Sequence, residues 1–250
     1  MNNAPLNNET IIRNISKNQG QILYNIMMLH NGGKPFEVDM TASELKFYNQ
    51  GGEYNIPEPK ILMDVVPTRD DIIKIEEYKP LPLEDNSVES LVVDLPFVIS
   101  PKDAPSVKDK KEGSNVIFNR FHSFYPVSDM FVQYKHWIDE AYRVVKPGGI
   151  CVFKCQDTVS GGVNYFTESY SFMCAVNAGF YVKDKFILEA NARLISATKI
   201  KQQQHARKFT SCFWVFKKDE KMAAKTRYFD ILNGNFYKPK TKRKKKNDDE

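Results

Sequence analysis

The chain has 250 residues, 42% of them hydrophobic, with 36 basic and 31 acidic side chains and a formal charge of +5. A chain of this size and composition buries one good core, so one domain with appendages is the expectation. No apolar run is long enough to span a bilayer, and the Asn-rich beginning lacks the pattern of a secretion signal, which points to a soluble, cytoplasmic protein without membrane contact.

The charge is concentrated at one end. Residues 238 to 246 hold seven basic side chains and Asp248, Asp249 and Glu250 return three, so this tail carries +4 and the body about +1. A basic tail attracts phosphates through counterion release without reading a base sequence, and a solvated solubility tail has the same composition. Cys151, Cys155, Cys174 and Cys212 sit in apolar segments without paired metal spacing and read as buried, reduced thiols, so no metal is expected. His30, His122, His136 and His205 are scattered, which gives a histidine-led mechanism no support.

In chain order, residues 1–16 lack periodicity and read as a loose arm. Ile22, Leu23, Ile26 and Met27 fall at helical spacing within residues 17–30, and Asn31-Gly32-Gly33 stops that helix. A short strand follows and ends at Asp39, running into Met40, Thr41, Ala42 and Ser43, with no glycine before Gly51. A second apolar run, Lys60 to Pro67, surrounds Asp64. An acid at that place often bonds a ribose in nucleotide-binding folds, and a surface-loop aspartate fits equally. Leu81 to Ser90 forms a loop into the buried strand Leu91-Val92-Val93, which ends at Asp94-Leu95-Pro96-Phe97.

Residues 101–115 form a polar, lysine-rich loop. Phe118 to Tyr125 then interleaves aromatics with Arg120 and His122, a mixture suited to base stacking and phosphate contact, or to packing a helix on a sheet. Met130 to Val145 is the clearest helix, with Phe131, Tyr134, Trp137, Ile138 and Ala141 on its apolar face, and Lys146-Pro147-Gly148-Gly149 is its expected stop. The strand Ile150 to Lys154 leads into Lys154-Cys155-Gln156-Asp157. A turn with Gly161 and Gly162 spans 158–165, a helix spans 168–178, and strands span 180–188 and 210–216. Between those last strands, Lys199, Lys201, Arg207 and Lys208 make a basic segment fit for phosphate contact. Residues 17–218 read as the domain and 219–250 as a basic C-terminal tail.

Four of these phrases carry a resemblance. Asp94-Leu95-Pro96-Phe97 resembles the Asp-Pro-Pro-Tyr/Phe loop of S-adenosylmethionine-dependent amino methyltransferases, which modify adenine N6 or cytosine N4 in nucleic acid. Leu81-Pro82-Leu83-Glu84-Asp85-Asn86-Ser87 resembles the loop that leads to it. Glu140-Ala141-Tyr142-Arg143-Val144-Val145-Lys146-Pro147-Gly148-Gly149 resembles the segment before the fifth strand of Rossmann-like methyltransferases. Lys154-x-Gln156-Asp157 resembles a phrase of the related DNA enzymes. Residues 17–218 are covered. The chain differs from the family at Leu95, where a proline is usual, and after Asp39, where a glycine-rich loop is usual.

The resemblance implies an α/β, Rossmann-like methyltransferase fold, a mostly parallel sheet with helices on both faces. It implies S-adenosylmethionine as cofactor, facing Asp39, Thr41 and Asp64. Asp94 and the Leu95 carbonyl would accept the hydrogens of the exocyclic amine, with Pro96 shaping the turn and Phe97 stacking on the extruded base. Lys154, Gln156, Asp157, Arg120, His122, Lys199 and Arg207 would meet the substrate. The implied partner is DNA, with RNA and a partner subunit also compatible. The alternative is a catalytically inactive nucleic-acid-binding module on the same fold.

Overall fold

The protein is described from a computed structural model, which covers residues 11–48, 53–99, 123–191 and 202–235. Among these residues ten strands are formed: β1 (Ile15–Ser16), β2 (Val38–Asp39), β3 (Ile61–Asp64), β4 (Ile73–Lys74), β5 (Val88–Asp94), β6 (Val145–Cys155), β7 (Thr158–Ser160), β8 (Val163–Tyr165), β9 (Tyr181–Glu189) and β10 (Thr210–Lys217). Eight of them make the central sheet, in the order β1-β9-β10-β6-β5-β2-β3-β4. Every neighbouring pair in it is parallel except those made by β10, which runs antiparallel to both β6 and β9. This is the α/β, Rossmann-like architecture expected from the sequence, a mostly parallel central sheet with helices on both faces.

Helices α1 (Gln19–His30), α2 (Val127–Val144) and α3 (Thr167–Ala178) cover the sheet on both faces, which is why its central strands are continuous apolar runs rather than alternating ones. Along β5, Leu91 and Val93 join the cluster under α2 and α3. Val92, pointing the other way, joins the cluster that contains Ile22, Leu23 and Ile26 of α1. Each of these fully buried side chains contributes about 1.5–3 kcal/mol relative to exposure. The Asn18 side chain accepts from the Gln21 amide at 3.2 Å and starts α1.

Two of the recognisable phrases form one device at the amino edge of the sheet. The Arg143 guanidinium donates to the carbonyls of Leu83 (2.8 Å) and Leu81 (3.1 Å), to Asp85 (2.8 Å) and to both oxygens of Glu140. Glu140 accepts the Leu81 amide at 2.7 Å, so helix α2 and the 81–87 loop are locked together before β5 begins. Helix α2 ends at Val144, one residue before the expected end, and β6 starts at Val145 rather than at Ile150, with Gly148 and Gly149 paired to Lys218 across the sheet end. Gly148 is left-handed at φ 88°, and a Cβ on Gly149 would lie 2.6 Å from the Glu89 carbonyl oxygen, so no side chain fits there.

Residues 158–165, read from sequence as a turn, form a hairpin of β7 and β8 around Gly161-Gly162. Beyond β10, α4 (Glu220–Thr226) packs on β9 and α5 (Tyr228–Leu232) on α3. The four cysteines are free and buried, with the Cys155 and Cys212 sulfurs 3.4 Å apart. Among the described residues no group of side chains could hold a metal, and no helix is long and apolar enough to cross a membrane.

Candidate functional site

Chain direction decides where a site can form. From β2 the sheet grows outward through β3 and β4, then returns to grow through β5 and β6 on the other side, so the connections part between β2 and β5. Open α/β sheets bind ligands at the carboxyl ends flanking such a switch point. Here those ends are Asp39 and Asp94, and a cavity of about 270 Å³ lies over them, near the lower end of small-molecule sites. Asp39, Thr41, Asp64, Asp94, Leu95, Pro96, Phe97 and Lys154 all line it.

The loop after β2 achieves without glycine what glycine usually allows. Ser43 (φ 46°) and Leu45 (φ 56°) are left-handed, a conformation that costs roughly 1–2 kcal/mol for each such residue. The loop is held by bonds from outside itself. Asp64 accepts the Ser43 amide and the Val66 amide, both at 2.8 Å, and the Ala42 amide donates to the Met63 carbonyl at 2.9 Å. Asp64 is therefore buried and engaged as a loop anchor at the cavity wall rather than a surface-loop aspartate, with a further lone pair on each oxygen.

Asp39 is 1% exposed. It accepts the Thr41 amide (2.8 Å) and hydroxyl (3.1 Å) through one oxygen and the Tyr48 hydroxyl (2.7 Å) through the other. Burial outweighs these bonds and pushes its pKa up to about 6. Thr41 also reaches the partner strand, because its hydroxyl oxygen accepts the Asp94 amide at 2.7 Å, which ties the two strand ends together.

At Asp94 the turn is braced from two sides. The Lys154 ammonium donates to Asp94 Oδ2 at 2.9 Å and sits 5.0 Å and 5.6 Å from the ring centres of Phe47 and Phe213. The Tyr134 hydroxyl of α2 donates to the Pro96 carbonyl at 3.0 Å, and the Phe124 amide to the Val98 carbonyl at 2.9 Å. Lys154 is thus a half-buried partner of Asp94.

The remaining sequence candidates divide. Gln156 and Asp157 share the carboxyl edge but lie outside the cavity lining. Asp157 accepts the Glu168 amide at 3.0 Å and so caps α3, while Gln156 is buried. Arg207 is exposed on the segment before β10. Arg120, His122 and Lys199 lie outside the described residues, as does the tail from residue 236. Phe124 is buried against Tyr134, the packing alternative for that aromatic segment, whereas Tyr125 is exposed.

The cavity also gathers Tyr48, Phe47, Glu77, Asp129 and Gln133, which sequence reasoning did not single out. Gln133 had a legible signal, a polar residue on the buried stripe of α2 between Met130 and Trp137. The others had none. Asp129 is raised above the ordinary aspartate range by burial and then by the nearby Glu77. In all, six carboxylates line the cavity (Asp39, Glu44, Asp64, Glu77, Asp94, Asp129) against two ammonium groups (Lys46, Lys154), a balance suited to a cationic ligand.

No protein-family model and no curated protein matches the chain. Among solved structures, it is similar to a Thermus thermophilus protein assigned as a DNA modification methylase and crystallised with S-adenosyl-L-methionine, at 14% identity, 55% of this chain, 50% of that chain and TM-score 0.37. It is similar to the cytosine-N4-specific PvuII DNA methyltransferase at 14% identity, 56% and 45% coverage and TM-score 0.39. A Sulfolobus solfataricus protein assigned as a type 11 methyltransferase aligns at 15% identity, 78% and 89% coverage and TM-score 0.36. The chain spans about half the length of the first two. Likeness at this level carries no inference about activity, and the architecture stands on its own strand order.

Proposed function

We propose that the protein transfers a methyl group from S-adenosylmethionine to an exocyclic amine of a base in DNA, adenine N6. The observation that carries this reading is the convergence of Asp94, Leu95, Pro96 and Phe97 with Asp39 and Thr41 on one acid-lined cavity at the switch point. S-adenosylmethionine supplies a methyl group activated on a sulfonium. The residues fit such a group in charge, six carboxylates facing a cation, and in place, with Asp39 and the 40–45 loop on the β2 side.

An aromatic amine attacks poorly because its lone pair is shared with the ring. Acceptors on both its hydrogens favour the pyramidal, nucleophilic form. Lys154 takes Asp94 Oδ2, which fixes the carboxylate and leaves Oδ1 for a ligand. In this reading Asp94 Oδ1 and the Leu95 carbonyl oxygen are those two acceptors, and Oδ1 takes the proton that the amine sheds. Half-buried Phe97 receives the base, which must leave the duplex to reach the cavity. Leu95 replaces the usual proline with its side chain buried in the core, and Tyr134 grips the next carbonyl, so packing holds the turn that a second ring would otherwise stiffen.

A second reading, a nucleic-acid-binding module without turnover, is favoured by the Lys154–Asp94 pair, which already occupies one oxygen of the proposed acceptor. Calorimetric titration with S-adenosylmethionine separates the two. Saturable binding that weakens in Asp39→Ala supports the transferase; no binding to the folded protein leaves the second reading.

A further inference from the structure

Gln133 lies on α2 and is 1% exposed, yet among the described residues neither its amide nitrogen nor its carbonyl oxygen has a hydrogen-bond partner. Buried polar side chains without partners are exceptions that call for a cause, since an apolar side chain of the same shape would remove the penalty. Gln133 is not in a dry core: it lines the cavity. Asp129 and Trp137, four residues before and after it, line the same cavity, so one ridge of α2 forms this wall. Ile75 and Glu77, which follow β4, line it as well. The wall therefore presents a donor and an acceptor side by side on one amide, two carboxylates that accept but do not donate, and apolar surface from Trp137 and Ile75.

An amide matches an edge in which an amine stands beside a ring nitrogen, as a glutamine does with adenine in direct base readout. Asp129 and Glu77 favour an edge bearing N–H groups over one bearing carbonyls. We propose that Gln133 is a specificity residue that pairs with the amine-and-ring-nitrogen edge of an adenine, left unpaired in the protein alone because its partner belongs to the ligand. This deepens the transferase reading and rests on it. The adenine can come from the cofactor or from the substrate strand; in the substrate, whose two amine hydrogens go to Asp94 and Leu95, the Gln133 amide N–H donates to the ring nitrogen alone.

The test is a cycle in which each ring nitrogen is deleted from the ligand and the amide from the protein. Wild type and Gln133→Leu are titrated with S-adenosylhomocysteine and its 1-deaza and 7-deaza counterparts. They are also titrated with a single-stranded oligodeoxynucleotide containing one adenine, 1-deazaadenine or 7-deazaadenine. Expected is a loss of about tenfold to hundredfold in wild type on deleting one ring nitrogen, an equal loss on Gln133→Leu, and no further loss when both are made. Coupling in the nucleoside arm assigns the cofactor's adenine, and coupling in the oligonucleotide arm assigns the substrate's.

The thermal midpoint of Gln133→Leu should equal or exceed that of wild type, because a role confined to packing or internal bonding predicts a fall. If Gln133→Leu does not fold, Gln133→Glu, which replaces the donor with an acceptor, should show the same loss and the same insensitivity to the ring nitrogen. Deletions that act independently of residue 133 in both arms overturn the proposal. Wild type that binds no S-adenosylhomocysteine overturns the cofactor reading instead, and the oligonucleotide arm then still decides the role of Gln133.

Discussion

The two edges of the sheet treat their polar groups in opposite ways. At the amino edge, Arg143, Glu140, Asp85 and the 81–87 backbone form a closed set of hydrogen bonds that joins helix to loop. At the carboxyl edge, Asp39 is buried against its charge, Ser43 and Leu45 hold left-handed backbone without glycine, and Gln133 has no hydrogen-bond partner among the described residues. Such costs are tolerated where a ligand gains from them. The contrast separates scaffold from site without reference to any relative.

Breaking the closed edge should have the largest effect on folding. Arg143→Ala strands the Glu140 carboxylate, whose side chain is only 12% exposed, and should lower the unfolding free energy by about 2–4 kcal/mol in urea titration, the upper figure reduced for partial exposure. Methylation per folded molecule should be unchanged; a specific loss of turnover would place the clamp in the site.

Asp39 sharpens the other side of the comparison. Its folded pKa, about 6, lies above that of an unfolded aspartate, so its contribution to stability is full below about pH 4 and is lost as pH rises through 6. Asp39→Asn should match wild type at pH 4 and exceed it by about 2 kcal/mol at pH 8 in thermal or urea unfolding. Cofactor affinity in wild type should rise between pH 5 and 7 as the carboxylate ionises. A mutant advantage that is independent of pH would refute this role.

Lys154→Met removes the group that fixes Asp94 and should lower kcat about tenfold, with affinity for the sulfonium held or raised because a cation leaves the cavity. Loss of affinity with kcat intact would make Lys154 a ligand contact instead. Ser43→Gly tests the smallest effect. Relief of the left-handed strain is nearly cancelled by the entropy of a new glycine, so stability should change by less than about 1 kcal/mol. A drop beyond that would show that the serine side chain matters to the loop.

Much of the fold was legible because its signals are local or periodic. The stripe of α2, the apolar run of β5 and the glycine after α3 each fix an element from its own residues. The candidate catalytic turn was legible for the same reason, as a strand that stops on an acid. What sequence could not convey depends on distant partners. Asp64 as anchor of residue 43, Thr41 bonded to residue 94, and Lys154 held between Phe47 and Phe213 are products of the strand order, not of spacing. The end of α2 was legible to within one residue, but the start of β6 was placed too late, at Ile150, because its first residues pair with Lys218, far along the chain.

The most direct test of the central claim is to incubate the protein with DNA and methyl-labelled S-adenosylmethionine, digest the DNA and identify labelled nucleosides by mass spectrometry. Wild type should yield labelled N6-methyldeoxyadenosine, and Asp94→Ala, equally folded and still binding DNA, should yield at least about a hundredfold less. Equal labelling by the two proteins would contradict the role given to the Asp94 turn, and no labelled nucleoside from a wild type that binds both ligands would contradict the transferase itself.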